Sequence, residues 1–283
     1  MSKELRQRIA QYGIRAKKGL GQNFLSDSEY VYRIVDAAEL SSGDVVVEIG
    51  PGPATLTPHL AEAVGPEGKV LAIEVDESLR PLLMDLCREY PQVEILWQDA
   101  LKVDYDAVTA PYRGDKPFTL VANLPYYITT PIMMGLLEGR FNLSHMVIMV
   151  QKEVADRMLA RAGTKDYGAL SVAVQYHCEV KLVTKVPPGA FIPPPKVSSA
   201  VVRLNRRRQP PVHVFDEKAF FRVVRAAFNQ RRKTLLNALG GLGLEMTKTE
   251  MSERLAQAGI DPGRRGETLN LDEFARVTDA LYR

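Results

Sequence analysis

The chain has 283 residues, room for one medium domain with a smaller appendage, and its 46% hydrophobic and 25% charged content is that of a soluble globular protein with a full-sized core. A net charge of +3 is only a faint bias towards polyanions, so where the charges fall matters more than their sum. Cys87 and Cys178 lie far apart and in no metal spacing, which excludes a cysteine metal site or disulfide framework and reads as free thiols in a reducing compartment. The polar start Met1-Ser2-Lys3-Glu4-Leu5-Arg6 and the lack of any apolar run near ~20 residues lead us to expect a cytoplasmic protein without a membrane span.

Residues 1–18 carry Lys3, Arg6, Arg8, Arg15, Lys17 and Lys18 against one acid, Glu4, and read either as a solvated arm or as a contact to phosphates. Gly19-Leu20-Gly21-Gln22-Asn23-Phe24-Leu25 follows, a mixture of glycines, amides and apolar anchors that could close over a ligand. A helical pattern runs through Val31, Ile34, Val35 and Ala38.

From Asp44 strands and helices alternate. Val45 to Ile49 is a buried strand; Gly50-Pro51-Gly52-Pro53-Ala54 is a tight turn into a helix through Leu56, Leu60, Ala61 and Val64. Val70 to Asp76 is a second strand, with a helix through Leu79, Leu82, Leu83 and Leu86 behind it, and Val93 to Trp97 is a third. Phe118 to Ala122 is the fourth strand, followed by a helix from about Thr130 to Leu137, and Met146 to Val150 is the fifth. Alternation of this kind means βαβ units on a parallel sheet with right-handed crossovers.

A helix after Gly168 then gives way to alternating Val180, Leu182, Thr184 and Val186. The proline-rich stretch from Pro187 to Pro195 joins that strand to Val197 to Leu204, as a hairpin at the sheet edge. Arg206-Arg207-Arg208-Gln209-Pro210-Pro211 reads as a linker, which sets domains at 1–208 and 209–283. The remainder is helical. Phe220, Val224, Ala227, Phe228 and Leu235 mark one helix face, with Arg222, Arg225, Asn229 and Arg232 on another. Thr247 with Glu250, and Asn270 with Glu273, have the spacing of capping boxes.

Two stretches point to chemistry. Glu48-Ile49-Gly50-Pro51-Gly52 is a glycine turn of dinucleotide type, but an acid leads it and the third glycine of the full fingerprint is missing, which argues against a pyrophosphate. Glu74 follows at about the spacing of an acid that binds ribose hydroxyls, and Asp99, just past the third strand, is placed to accept from an adenine amine. Several acids around such a turn suit a nucleoside bearing a cation, as S-adenosylmethionine does. In Asn123-Leu124-Pro125-Tyr126 the fourth strand ends in an amide and carbonyls able to accept from an exocyclic amine, beside a ring able to stack on a flat base. The four histidines show no ligand spacing, and no metal is expected.

Together with Phe191-Ile192-Pro193-Pro194-Pro195-Lys196-Val197-Ser198-Ser199 and Phe228-Asn229-Gln230-Arg231-Arg232-Lys233-Thr234-Leu235, these segments stand in family order along almost the whole chain. The chain resembles the KsgA/RsmA family of 16S ribosomal RNA adenine N6,N6-dimethyltransferases. The resemblance implies a Rossmann-like class I methyltransferase domain with a mostly parallel seven-stranded sheet and a small C-terminal helical, RNA-binding domain. It implies a methyl donor held by Gln22, Asn23 and Leu25 of the arm, Glu48, Gly50 and Gly52 of the turn, Glu74, Asp99 with Ala100, and Asn123. Asn123 and the Leu124 carbonyl, with Pro125, would hold the target amine, and Tyr126 and Phe191 would stack on its ring. Where many relatives have Asn after that Tyr, this chain has Tyr127.

The expected function is dimethylation of two adjacent adenines in a hairpin loop of 16S ribosomal RNA, within the immature small subunit and by a monomer. Lys17, Lys18, Arg206 to Arg208, Arg222, Arg225 and Arg232 are candidates for tracking RNA phosphates. Two alternatives stay open from the residues: a large-subunit ribosomal RNA methyltransferase of the macrolide-resistance type, and a non-catalytic ribosome-assembly or transcription factor on the same fold.

Overall fold

The computed structural model describes residues 3–283, without the side chains of Lys3, Glu4 and Lys18, so the charges expected at Lys3 and Lys18 lie outside what is described. The chain divides into two compact units, Met1–Ala155 with Lys181–Arg206, and Asp156–Val180 with Arg207–Arg283. A single boundary at 208/209 was expected; instead Asp156–Val180 groups with the C-terminal residues.

The first unit is built on a seven-stranded sheet. β1 (Phe24–Leu25) stands outside it, and β2 (Val45–Ile49), β3 (Lys69–Glu74), β4 (Val93–Trp97), β5 (Phe118–Asn123) and β6 (Leu143–Gln151) pair in parallel. Beyond them lie β7 (Cys178–Val186), β8 (Phe191–Ile192) and β9 (Ser199–Arg206), and the order across the sheet is β4-β3-β2-β5-β6-β9-β7, with β9 antiparallel to β6. Val46, Val47, Leu120 and Val121 are fully buried, as continuous apolar runs in a sheet covered on both faces must be. Each such side chain contributes roughly 1.5–3 kcal/mol relative to exposure.

The helices of this unit are α1 (Lys3–Gln11), α2 (Ser28–Ala37), α3 (Thr57–Val64), α4 (Arg80–Glu89), α5 (Tyr105–Arg113), α6 (Thr129–Glu138) and the start of α7 (Lys152–Leu159). The first of these corrects the reading of the basic N-terminal run as an arm. In α1 Leu5 is buried, and the Arg8 guanidinium donates to the carbonyls of Pro53 (3.2 Å) and Ala54 (2.8 Å). Arg8 therefore braces the back of the glycine turn. Helix α5 was also missed, because Pro111 sits inside it; the Asp104 side chain caps its start. Arg206 donates to the carbonyls of Leu136, Leu137 and Gly139 at the end of α6, which occupies its guanidinium as a helix cap rather than leaving it for phosphate.

The second unit contains α8 (Ala169–His177), α9 (Glu217–Asn229), α10 (Leu235–Leu239), α11 (Lys248–Gln257) and α12 (Leu271–Tyr282) around Phe220, Leu255 and Phe274. Both expected capping boxes form, at Thr247 with Glu250 and at Asn270 with Glu273. The long Arg-bearing helix is shorter than its pattern suggested. Gln230 leaves helical geometry (φ −131°, ψ 60°), so Arg222 and Arg225 stay on an exposed face of α9 while Arg232 falls in a turn and Leu235 starts α10. Among the described residues no helix is long and apolar enough to cross a membrane.

Candidate active site

Strand order reverses at β2, whose neighbours are β3 on one side and β5 on the other. The carboxyl ends of a parallel sheet diverge at such a point and leave a crevice for ligand. Register aligns those ends: Ile49 lies opposite Ile73 and Ala122, Glu74 opposite Trp97, and Asn123 opposite Met149. The crevice is lined by Gln22, Asn23 and Leu25, by Glu48, Gly50 and Gly52, by Glu74, Asp99 and Ala100, and by Asn123 to Tyr127.

The glycine turn holds its shape through backbone geometry. Gly50 (φ +70°) and Gly52 (φ +54°) both occupy the left-handed region, and the Gly50 N–H donates to the Ile73 carbonyl (2.9 Å). A Cβ on Gly50 would meet no atom within 4 Å, so that face opens on the crevice.

Glu74, at the end of β3, accepts from the N–H groups of Val75 (2.9 Å), Asp76 (2.8 Å) and Gly52 (3.3 Å). Its pKa is nevertheless raised, because burial outweighs those three donors. Glu48 is 1% exposed, and its Oε2 has no hydrogen-bond partner. Loss of water pushes its carboxyl up to about 8. Asp99 uses Oδ1 to accept the Leu101 N–H (3.0 Å) and so caps the short turn after β4.

Across the crevice, the Asn123 Nδ2 donates to the Asn23 carbonyl (3.3 Å), which leaves its Oδ1 as the accepting end of the amide. The Leu124 N–H bonds to the Met149 carbonyl (3.2 Å), and the Pro125 carbonyl takes the Ile128 N–H and the Thr129 hydroxyl. These bonds close the turn from β5 into α6. The half-buried Tyr126 hydroxyl bonds to the Ser199 hydroxyl at the start of β9 (2.7 Å), and burial raises the phenol's pKa.

Phe191 is the expected site residue that the structure does not bring to the crevice. It is 3% exposed, in the same apolar cluster as Leu25, Val147 and Val201, because its backbone pairs with Leu25 in the two-stranded β1–β8 ladder. Neither strand was expected, since each is two residues long. Two residues outside the expected set bond to members of it: Asp76 to Glu74, two positions before it, and Ser199, the end of the proline-rich segment, to Tyr126, a contact across 73 positions that leaves no local pattern.

A seven-stranded, mostly parallel sheet with a glycine turn, an acid ending the next strand and an Asn-Leu-Pro-Tyr turn after β5 defines a class I, Rossmann-like methyltransferase. More narrowly, the chain belongs to the ribosomal RNA adenine dimethylase family, whose description matches residues 13–281. Among curated proteins, it is 52% identical to ribosomal RNA small subunit methyltransferase A of Moorella thermoacetica, with 96% of this chain and 95% of the relative aligned. The protein of the same name from Clostridium acetobutylicum is 48% identical, over 98% of each chain. Among solved structures, a dimethyladenosine transferase from Plasmodium falciparum is 26% identical with a TM-score of 0.74, over 90% of this chain and 95% of that one. The 23S rRNA methyltransferase ErmE is 27% identical with a TM-score of 0.68, over 92% and 100%.

The methyl donor of the family is S-adenosylmethionine, and the residues present fit it. The buried Glu48 oxygen without a partner is a polar group that a ligand can satisfy, Glu74 can accept from ribose hydroxyls, and the open face at Gly50 admits close approach.

Proposed function

We propose that the protein dimethylates the N6 amines of two adjacent adenines in a 3′-terminal hairpin loop of 16S ribosomal RNA, acting in the cytoplasm as a monomer on the immature small subunit. The observation that carries this reading is the orientation of Asn123. Its amide nitrogen is held by the Asn23 carbonyl, so its oxygen is the end left to accept a hydrogen from an incoming amine.

In this reading Glu74 takes the ribose hydroxyls of the donor, Asp99 its adenine amine through the oxygen not used as a cap, and Asn23, Leu25, Gly50, Gly52 and Ala100 wall its pocket. Bound there, the donor supplies an electrophilic methyl on a sulfonium. An adenine amine is a poor nucleophile because its lone pair is delocalised into the ring. Asn123 Oδ1 and the Leu124 carbonyl, accepting its two hydrogens, draw it towards tetrahedral geometry and localise that pair; alignment then supplies much of the acceleration. No strong base is needed, since the proton departs to water after transfer.

Tyr126 stacks on the target ring, at roughly 1–3 kcal/mol per base, which offsets part of the cost of extruding it from the RNA. The bond to Ser199 anchors the hydroxyl end of that ring. Loss of one such bond is worth about 1 kcal/mol, so Ser199→Ala should raise KM for RNA roughly fivefold, with a smaller change in KM for the donor. An equal change in both would remove Ser199 from the adenine side.

Arg225, exposed on α9, is the proposed phosphate contact of the second unit, whereas the neighbouring Arg222 already donates to the Leu242 carbonyl (3.2 Å). The substrate is tested by incubating labelled donor with immature small subunits or with naked large-subunit RNA and mapping the modified adenines. Label confined to two adjacent adenines of the small-subunit RNA is expected; label only in large-subunit RNA would overturn the proposal.

A further inference from the structure

Residues Leu20 to Asn23, before β1, line the crevice, and polar bonds from Lys17 and Gln22 fasten this segment to the loop after β3. Asp76 stands at the centre. Its Oδ1 accepts from Lys17 Nζ (2.6 Å) and its Oδ2 from Gln22 Nε2 (2.9 Å), while Gln22 Oε1 accepts the Lys17 N–H (2.8 Å). The turn from Lys17 to Gln22 is thereby closed on itself and clamped to one carboxylate. Asp76 is 4% exposed and is also bonded by the Ser78 N–H and hydroxyl. Burial opposes its ionisation, but the hydrogen bonds from Lys17, Ser78 and Gln22 outweigh it and hold the carboxyl at about 2.

The same segment rests on the opposite wall. Gly21 (φ +59°) lies so close to Tyr127 that a Cβ there would sit 3.2 Å from the ring, and Asn23 receives the amide of Asn123. The strap thus runs from the ribose side of the crevice, where the Asp76 N–H also bonds to Glu74, to the side that holds the target amine. Gln22 has both ends of its amide engaged in the clamp, so its part in donor binding is exerted through the strap.

We propose that Asp76 is a positioning residue for the methyl donor: its ion pair with Lys17 and its bond to Gln22 latch residues 17–25 across the donor crevice. The proposal rests on the donor-site reading above. A latch of this kind restricts escape of bound donor and fixes Asn23 and Leu25 against it, whereas an unlatched arm must be ordered at the expense of binding. Because Lys17 is half exposed, the ion pair is open to screening by salt.

The experiment is titration of the full chain with S-adenosylhomocysteine, without RNA, at low and high salt. Wild type should bind and weaken as salt rises. Lys17→Met and Asp76→Asn should each raise Kd about tenfold and lose the salt dependence. The double variant should be no weaker than either single one, and Lys17→Arg should restore affinity to within about threefold. Lys17 is half exposed, so Lys17→Met reads the latch even if Asp76→Asn impairs folding. Wild-type binding with unchanged affinity in Lys17→Met would overturn the latch alone. A wild type that binds no S-adenosylhomocysteine would overturn the donor site and the latch with it.

Discussion

Replacing Asn123 by Ala should lower kcat by about 10²–10³, the effect of removing one oriented hydrogen-bonding group from a reacting centre. Asn123 is the only side-chain acceptor in the proposed amine clamp; without it the Leu124 carbonyl alone would have to fix two hydrogens. The amine would then keep its planar, delocalised form for longer in each encounter, and the loss would fall on the chemical step. Affinity for S-adenosylhomocysteine should fall less than threefold, since the bond from Asn123 to the Asn23 carbonyl is long at 3.3 Å. Single-turnover methylation at saturating donor and RNA reads the first quantity, and titration without RNA the second. Unchanged turnover would remove Asn123 from the clamp, and a donor affinity reduced in step with turnover would reassign it to donor binding.

Glu48→Gln should alter the pH dependence of stability. A free Glu ionises near 4.5, whereas burial keeps Glu48 protonated in the folded chain up to about 8. Between those values the folded state binds more protons than the unfolded one, so the contribution of Glu48 is fully present below 4.5 and is lost as pH rises through 8. At about 1.4 kcal/mol per pH unit, the loss across the window is on the order of a few kcal/mol. Gln has a similar shape and no proton to lose. Denaturant unfolding without donor at pH 5 and pH 8 should therefore show wild type losing stability relative to Glu48→Gln; parallel behaviour would mean that Glu48 is already ionised in the fold. Asp76 does not confound the comparison, because its carboxyl is held at about 2 and titrates well below this window.

Much of the site was legible because its groups sit at strand ends, where chain order and spatial order coincide. Buried runs such as Val45 to Ile49 and Phe118 to Val121 declare parallel strands, and a parallel sheet brings all their carboxyl ends to one edge. Glu48, Gly50, Glu74, Asp99 and Asn123 could therefore be placed on one crevice from their positions after successive strands. The capping boxes of α11 and α12 were equally readable, since a cap is closed by residues three apart.

Contacts between residues far apart in the chain were not. Nothing near Phe191 indicates that its backbone will pair with Leu25 and turn its ring into the core, and nothing near Arg8 or Arg206 indicates that each will end on carbonyls of a distant turn or helix. A basic residue in a sequence carries its charge openly but not its partner, so Arg206 reads as a phosphate ligand although the end of α6 occupies it. The sequence by itself determined the strand order of the chemistry: a glycine turn, two acids and an amide clamp, each set by local pattern at the end of a buried strand. Tertiary structure alone decided which of the flanking residues reach that crevice and which brace it, because those bonds join segments whose separation in the chain leaves no periodicity to read.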